Sequence, residues 1–199
     1  MPEAVKAYVR FVEKLNRVVG RFTMYLLFAM MAILLYSSIS KTFFHPSLWT
    51  LEMAQFTMVA YYLLGGSYSM QLGSHVRMDL AYGFWSDKTK AAVDAVTVFF
   101  LIFFLWVLFA GGIGSTAYSL GYYGAEPFAF FKDLVVAFFT GGIAGADEVI
   151  GRLERSSTAW RPFVWPIKVI MCLGILMMLL QTIAMFFRDV AKVRGVDLS

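Results

Sequence analysis

The chain has 199 residues, 60% of them hydrophobic and 15% charged, with a formal net charge of +4. Soluble domains carry about 25% charged residues, so this composition, with a mean hydropathy of +0.70, excludes an ordinary water-soluble fold. The basic residues flank apolar runs instead of forming a folded basic face, which argues against a nucleic-acid partner.

Residues 1–21 carry a helical stripe. Val5, Tyr8, Val12, Leu15 and Val19 recur at intervals of three and four, and Lys6, Arg10, Glu13, Lys14 and Arg17 occupy the other faces. This pattern predicts an interfacial amphipathic helix lying flat on an anionic leaflet. The first long apolar run follows at 22–44. It is longer than a signal h-region, has a long polar lead-in and precedes no small-residue cleavage site, so it is expected to remain in the chain.

A short link through His45-Pro46 leads to the second run, 49–73. It opens with Trp49-x-x-Glu52, contains Gly65-Gly66 and is followed by His75-Val-Arg-Met-Asp79. The third run, 91–120, carries Gly111 and Gly112 late in its length. The fourth, 163–187, opens with Trp165-Pro-Ile-Lys168 and holds the single cysteine, Cys172. One cysteine allows no intramolecular disulfide. Each run reaches the roughly 20 residues that a spanning helix needs. In lipid the backbone must satisfy itself within the segment, so each run reads as a helix. None alternates as a barrel strand would.

Lysine and arginine set the expected orientation. Lys6, Arg10, Lys14, Arg17 and Arg21 precede the first run, and Arg77, Lys88 and Lys90 separate the second from the third. Arg188, Lys192 and Arg194 follow the fourth. With four spans these segments share one side, which the positive-inside rule makes cytoplasmic, with both termini. Segment 121–161 then faces outward, and its charges nearly balance: Lys132, Arg152, Arg155 and Arg161 against Glu126, Asp133, Asp147, Glu148 and Glu154.

Residues 127–145 are also apolar. A fifth span there would place Lys132 and Asp133 in the hydrocarbon, at about 2.5–3.5 kcal/mol each for a charge at a helix centre. It would also put Arg188, Lys192 and Arg194 on the far side, although it would bring Arg152, Arg155 and Arg161 inside. The four-span plan is favoured. Residues 126–139 are expected as an outer helix on the membrane or against a partner, broken at Gly141-Gly142 and followed by a short amphipathic helix over 147–155. The fold class expected is therefore an all-α integral membrane protein: four transmembrane helices, an N-terminal interfacial helix and an outer-side helical insertion.

Chemistry is sparse. The two histidines, His45 and His75, fall on opposite sides of the four-span plan, and no metal cluster, nucleophile elbow or phosphate loop occurs. Neither enzyme activity nor a cofactor or metal is expected. The span interiors lack the mid-depth charges and broken helices typical of channels and autonomous carriers. Lys41, Glu52, Asp94 and Lys168 sit near helix ends, where long side chains snorkel. Glu52 is either an interface carboxylate or a first-turn acid favoured by the helix dipole. Trp49, Trp160 and Trp165 fit an aromatic belt, with Lys168 snorkelling beside them. Gly65, Gly66, Gly111 and Gly112 suit close helix approach. His75, Arg77 and Asp79 form either a partner-binding cluster or an ordinary charged flank in which Asp79 caps a following helix.

These features resemble the small membrane subunit, the DctQ-like family, of tripartite ATP-independent periplasmic (TRAP) transporters. The resemblance rests on Trp49-x-x-Glu52, on Gly65 or Gly66 mid-span, on His75-Val-Arg-x-Asp79, and on Trp165-Pro-Ile-Lys168 leading through a Leu/Met-rich run to Gln181. It covers nearly the whole chain, but 126–155 is longer than the family's outer loop. The resemblance implies a scaffold in the bacterial inner membrane. It would brace a large membrane subunit that imports an organic acid with sodium, delivered by a periplasmic substrate-binding protein. Trp49, Glu52, Gly65, Gly66, His75, Arg77, Asp79, Gly111 and Gly112 are then candidates for the partner interface. Trp160, Trp165 and Lys168 are candidate membrane-interface anchors. A stand-alone four-helix protein for assembly or signalling is the alternative. A redox subunit would want paired mid-span histidines, which this sequence lacks.

Overall fold

The computed structural model describes residues 3–73 and 87–193. Five helices account for most of them: α1 (Glu3–Phe43), α2 (Thr50–Gln71), α3 (Asp87–Ser119), α4 (Pro127–Val149) and α5 (Trp165–Val193). Extended pairing among the described residues is limited to an isolated bridge between Arg155 and Phe163. The chain is an all-α integral membrane protein.

Local chemistry fixes the helix ends. α1 stops before His45-Pro46, and Ser40 Oγ donates to the His45 carbonyl at 2.7 Å. The hydroxyls of Ser47 and Thr50 lie 2.9 Å apart at the start of α2. Gly73, at φ 66°, follows α2 in the left-handed region, a common helix stop. Pro166 occupies the first turn of α5, where its missing N–H costs nothing.

The helices pack in the spatial order α1, α2, α5, α3, and the N-terminal part of α1 also reaches α5. Leu63 meets Gly174 and Gly66 meets Met178, so α2 and α5 run parallel. Gly112 meets Cys172, and Lys168 reaches the Ser115 carbonyl, so α3 and α5 run antiparallel. One end of the bundle therefore gathers the C-termini of α1 and α3 with the N-termini of α2 and α5. This is the hairpin end. The other, where residues 3–21 lie against the last turns of α5, is the terminal end.

α1, α3, α4 and α5 each contain a stretch long and apolar enough to cross a membrane. α4 is nevertheless not one rod. Gly142 sits at φ 63°, ψ −146°, inside what is otherwise helix. Beyond that turn the chain folds back, so that a Cβ on Gly145 would lie 2.5 Å from the Ala137 carbonyl oxygen. The two arms, 127–141 and 143–149, are about 22 Å and 10 Å long at about 1.5 Å per residue, short of the roughly 30 Å hydrocarbon. The segment also ends where it began: Gly151 N donates to the Leu120 carbonyl at 2.9 Å and Glu154 N to the Ser119 carbonyl at 3.0 Å. α2, at 22 residues, is about 33 Å long.

The expected break at Gly141-Gly142 is present. A helix over 147–155 is not: α4 ends at Val149, and 150–155 are drawn against the end of α3 by the two backbone bonds just described. The N-terminal stripe also differs in surroundings. α1 runs unbroken through residue 21, and 41 residues make about 60 Å, twice the hydrocarbon thickness. Val9 and Val12 are buried with Ala184 of α5, and Tyr8 and Phe187 pack around them. The stripe faces a protein helix because the long C-terminal part of α5 stands beside it.

Candidate partner-binding surfaces

At the hairpin end, Trp49 stacks on Tyr36 of α1, with ring centroids 5.6 Å apart. One turn into α2, Glu52 is only 3% exposed. Its Oε1 accepts a bond of 3.5 Å from Ser156 Oγ, and its buried Oε2 has no partner among the described residues. An ionised carboxylate that has left water normally takes several donors or a cation. Glu52 can therefore accept a further strong hydrogen bond.

Lys168 lies in the first turn of α5. Its Nζ pairs with Glu154 Oε2 at 2.7 Å and donates to the Ser115 carbonyl at 3.2 Å. The side chain thus clamps α5, the preceding loop and the last turn of α3 together. It does not reach freely outward, because two acceptors lie within the length of its stem. Trp160 and Trp165 are exposed beside this clamp, as is Phe163.

The expected close approaches are made largely within the chain. A Cβ on Gly65 would touch Thr23, one on Gly66 would lie 2.9 Å from Met178 Sδ, and one on Gly112 would lie 3.1 Å from Cys172 Sγ. Gly65 and Gly66 also line an open groove of about 400 Å³ beside α1 and α2, together with Thr23, Tyr61 and Tyr68. Gly111 faces open space. The tightest approaches between helices belong to glycines the sequence did not single out. Gly20 lies against the Tyr68 ring, and Gly174 against both backbone and side chain of Leu63.

At the terminal end, Asn16 Nδ2 donates to Gln181 Oε1 at 2.6 Å, with both residues almost wholly buried. Tyr8 donates its hydroxyl to the Leu180 carbonyl at 3.1 Å, and Arg188 pairs with Glu13. A sequence scan had no signal for these links beyond the polar residues standing inside apolar stripes. His75, Arg77 and Asp79 lie outside the described residues. No group of three metal-ligating side chains occurs among the described residues. The polar groups brought together couple helices; they do not form a nucleophile, base and oxyanion set.

Broad apolar faces stay uncovered. α3 presents Phe99, Phe100, Phe103, Phe104, Trp106 and Val107 outward, and α1 exposes a row from Phe22 to Ile39. Such faces contact lipid or another membrane protein.

Residues 30–135 match the family model described as the DctQ component of tripartite ATP-independent periplasmic transporters. The match takes in more than half of the chain, from the middle of α1 to the first turns of α4. No curated protein and no solved structure matches.

Proposed function

Because the chain belongs to the DctQ component family of tripartite ATP-independent periplasmic transporters, we propose that it is the small scaffold subunit of such a transporter. It braces a large membrane subunit that imports an organic acid with sodium. A periplasmic binding protein supplies the acid. The family match over 30–135 carries this reading. It is supported by the sequence of the span interiors, which offer no mid-depth charge to bind an ion or a carboxylate.

In this proposal α1, α2, α3 and α5 cross the bacterial inner membrane, and both termini are cytoplasmic. The terminal end, rich in lysine and arginine, faces the cytoplasm by the positive-inside rule. The hairpin end faces the periplasm. The large subunit covers the groove beside Gly65 and Gly66 and the open face at Gly111. It completes the Glu52 carboxylate at one end and meets the His75, Arg77 and Asp79 cluster at the other. Trp49, Trp160 and Trp165 mark the outer headgroup level.

Coexpression with the large subunit and the binding protein tests the proposal. The two membrane chains are expected to copurify in mild detergent. Sodium-driven uptake in liposomes is expected only when all three proteins are present. Uptake by the purified chain alone would replace the scaffold with a carrier. Stable purification of the chain with no large membrane partner would favour the assembly or signalling alternative.

A further inference from the structure

A cleft of about 640 Å³ opens at the hairpin end, lined by Tyr118, Tyr123, Arg152, Arg155, Arg161 and Phe163. Three arginines thus line one concave space. The ion pairs among the described residues leave all three without a carboxylate partner. Glu154 also lines the cleft, but Lys168 holds it at 2.7 Å. The acid in the cleft lining is therefore already engaged, and the cleft keeps its positive charge.

The loop holds this arrangement by its own bonds. Val164 N donates to the Glu154 carbonyl at 3.2 Å and Ser156 N to the Pro162 carbonyl at 2.9 Å, which folds 154–164 back on itself. Arg161 sits at φ 49°, a left-handed conformation that non-glycine residues adopt at a cost. The Arg155 guanidinium lies over the Phe163 ring, 4.5 Å from its centroid. That leaves its planar N–H edge free to donate.

We propose that this cleft binds the phosphate group of an anionic phospholipid in the leaflet at the hairpin end. Arginine forks match phosphate oxygens bidentately, and the tyrosine hydroxyls add donors. Depth favours a lipid over a soluble anion. The cleft sits where α3 ends and α5 begins, lined by exposed Phe163 within a segment that also carries exposed Trp160 and Trp165, and such aromatic residues collect at the headgroup level. Directly beside it the two helices are apolar and would receive the acyl chains. A concave pocket flanked by exposed rings also suits a headgroup better than the flatter acidic face of a soluble protein. This inference depends on the chain's being a membrane protein and not on its role in transport.

Native mass spectrometry of the delipidated full chain in detergent tests it, with phosphatidylglycerol and phosphatidylcholine as probes. Phosphatidylglycerol is expected to be retained over phosphatidylcholine. Replacing all three arginines by glutamine should lower that retention about tenfold or more, the loss expected when charge-assisted hydrogen bonds are removed. Lys132→Gln, which removes an exposed cation elsewhere, should leave it unchanged. Arg161→Gly separates binding from folding. Glycine tolerates the backbone angle, so thermal stability should hold or rise while phosphatidylglycerol retention falls. Equal retention of the two lipids would overturn the proposal, as would retention insensitive to the triple substitution. Displacement of bound lipid by millimolar inorganic phosphate would instead make this a free-anion site. If the triple variant kept its lipid but lost a soluble binding protein, the cleft would be a protein-docking surface and the lipid reading would fail.

Discussion

Both α4 and α5 contain an apolar stretch long enough to cross a membrane, yet 44% of that stretch is buried in α5 and 6% in α4. Hydropathy does not separate them in kind. The residues that interrupt each apolar run do. α5 carries Gly174, Gln181 and Thr182, each placed where a neighbouring helix comes close. α4 carries Lys132, Asp133 and the Gly141-Gly142 pair, which leave it charged near its start and bent at its tip. In lipid, apolar surface alone gives two helices no reason to associate. Small residues and polar links decide which helix becomes the centre of the bundle and which stays at its edge.

The sharpest way to break this comparison is to treat the glycines of the two helices alike. A Cβ at Gly174 would lie 2.8 Å from Leu63 Cβ and 2.9 Å from the Leu63 carbonyl carbon, so α2 itself would have to move. Gly174→Leu should cost about 3 kcal/mol, the upper part of the overpacking range. Gly141 has nothing within 4 Å, so Gly141→Leu should be close to neutral. Denaturant unfolding in detergent measures both. Equal costs would mean that α4 is packed as tightly as α5, and the distinction would fall.

The next test concerns Asn16 and Gln181. Asn16→Leu leaves the Gln181 amide buried without its partner, a cost of about 1–3 kcal/mol. Asn16→Leu with Gln181→Leu removes both polar groups and should cost less than the sum of the single substitutions. Strict additivity would show that the two amides do not couple α1 to α5.

How much of this could be read in the sequence follows from where each signal resides. The four apolar runs and the glycine break in α4 are local patterns, set by hydropathy and by one residue's backbone freedom, so they were legible. The stripe of Val5, Tyr8, Val12 and Leu15 was legible as the apolar face of a helix, but its cover was not. Nothing local distinguishes a leaflet from the last turns of α5, 165 residues further on at the Asn16–Gln181 contact. Lys168 read as a snorkelling end residue because its acceptors, Glu154 and the Ser115 carbonyl, are brought to it only by the antiparallel packing of α3 and α5. Of the candidate site, the place of Trp49 and Glu52 at a span's first turn was legible, whereas the stacking of Trp49 on Tyr36 and the burial of Glu52 depend on packing between helices. The arginine cleft was not legible, since 152 and 155 read as part of a short amphipathic helix over 147–155 and 161 as a charge in the link after it.

The hairpin itself can be opened. Gly142 occupies a backbone region that side-chain-bearing residues strongly disfavour, so Gly142→Ala should oppose the turn by about 1–3 kcal/mol. Because α4 is little buried, this change should stay local. Spin labels at Val136 and Ala144 should move apart, while unfolding of the rest of the chain is nearly unchanged. Labels that stay close in the alanine variant would mean that contacts outside the turn hold the hairpin.

The smallest expected effect is the most informative about α4. Phe139 is 81% exposed and Ile143 is 82% exposed, on either side of the turn. Large apolar side chains in a packed core cost several kcal/mol to truncate, because a cavity remains. Here no such cavity can form, for both side chains stand almost wholly uncovered. Phe139→Ser and Ile143→Ser should each change the chain's own stability in detergent by less than about 0.5 kcal/mol, as substitutions at uncovered positions do. A detergent micelle still covers the tip in that measurement, so the value isolates contacts made inside the chain. A loss above about 1 kcal/mol would place the tip against the bundle. α4 would then be a second packed helix, and the contrast with α5 would be one of degree.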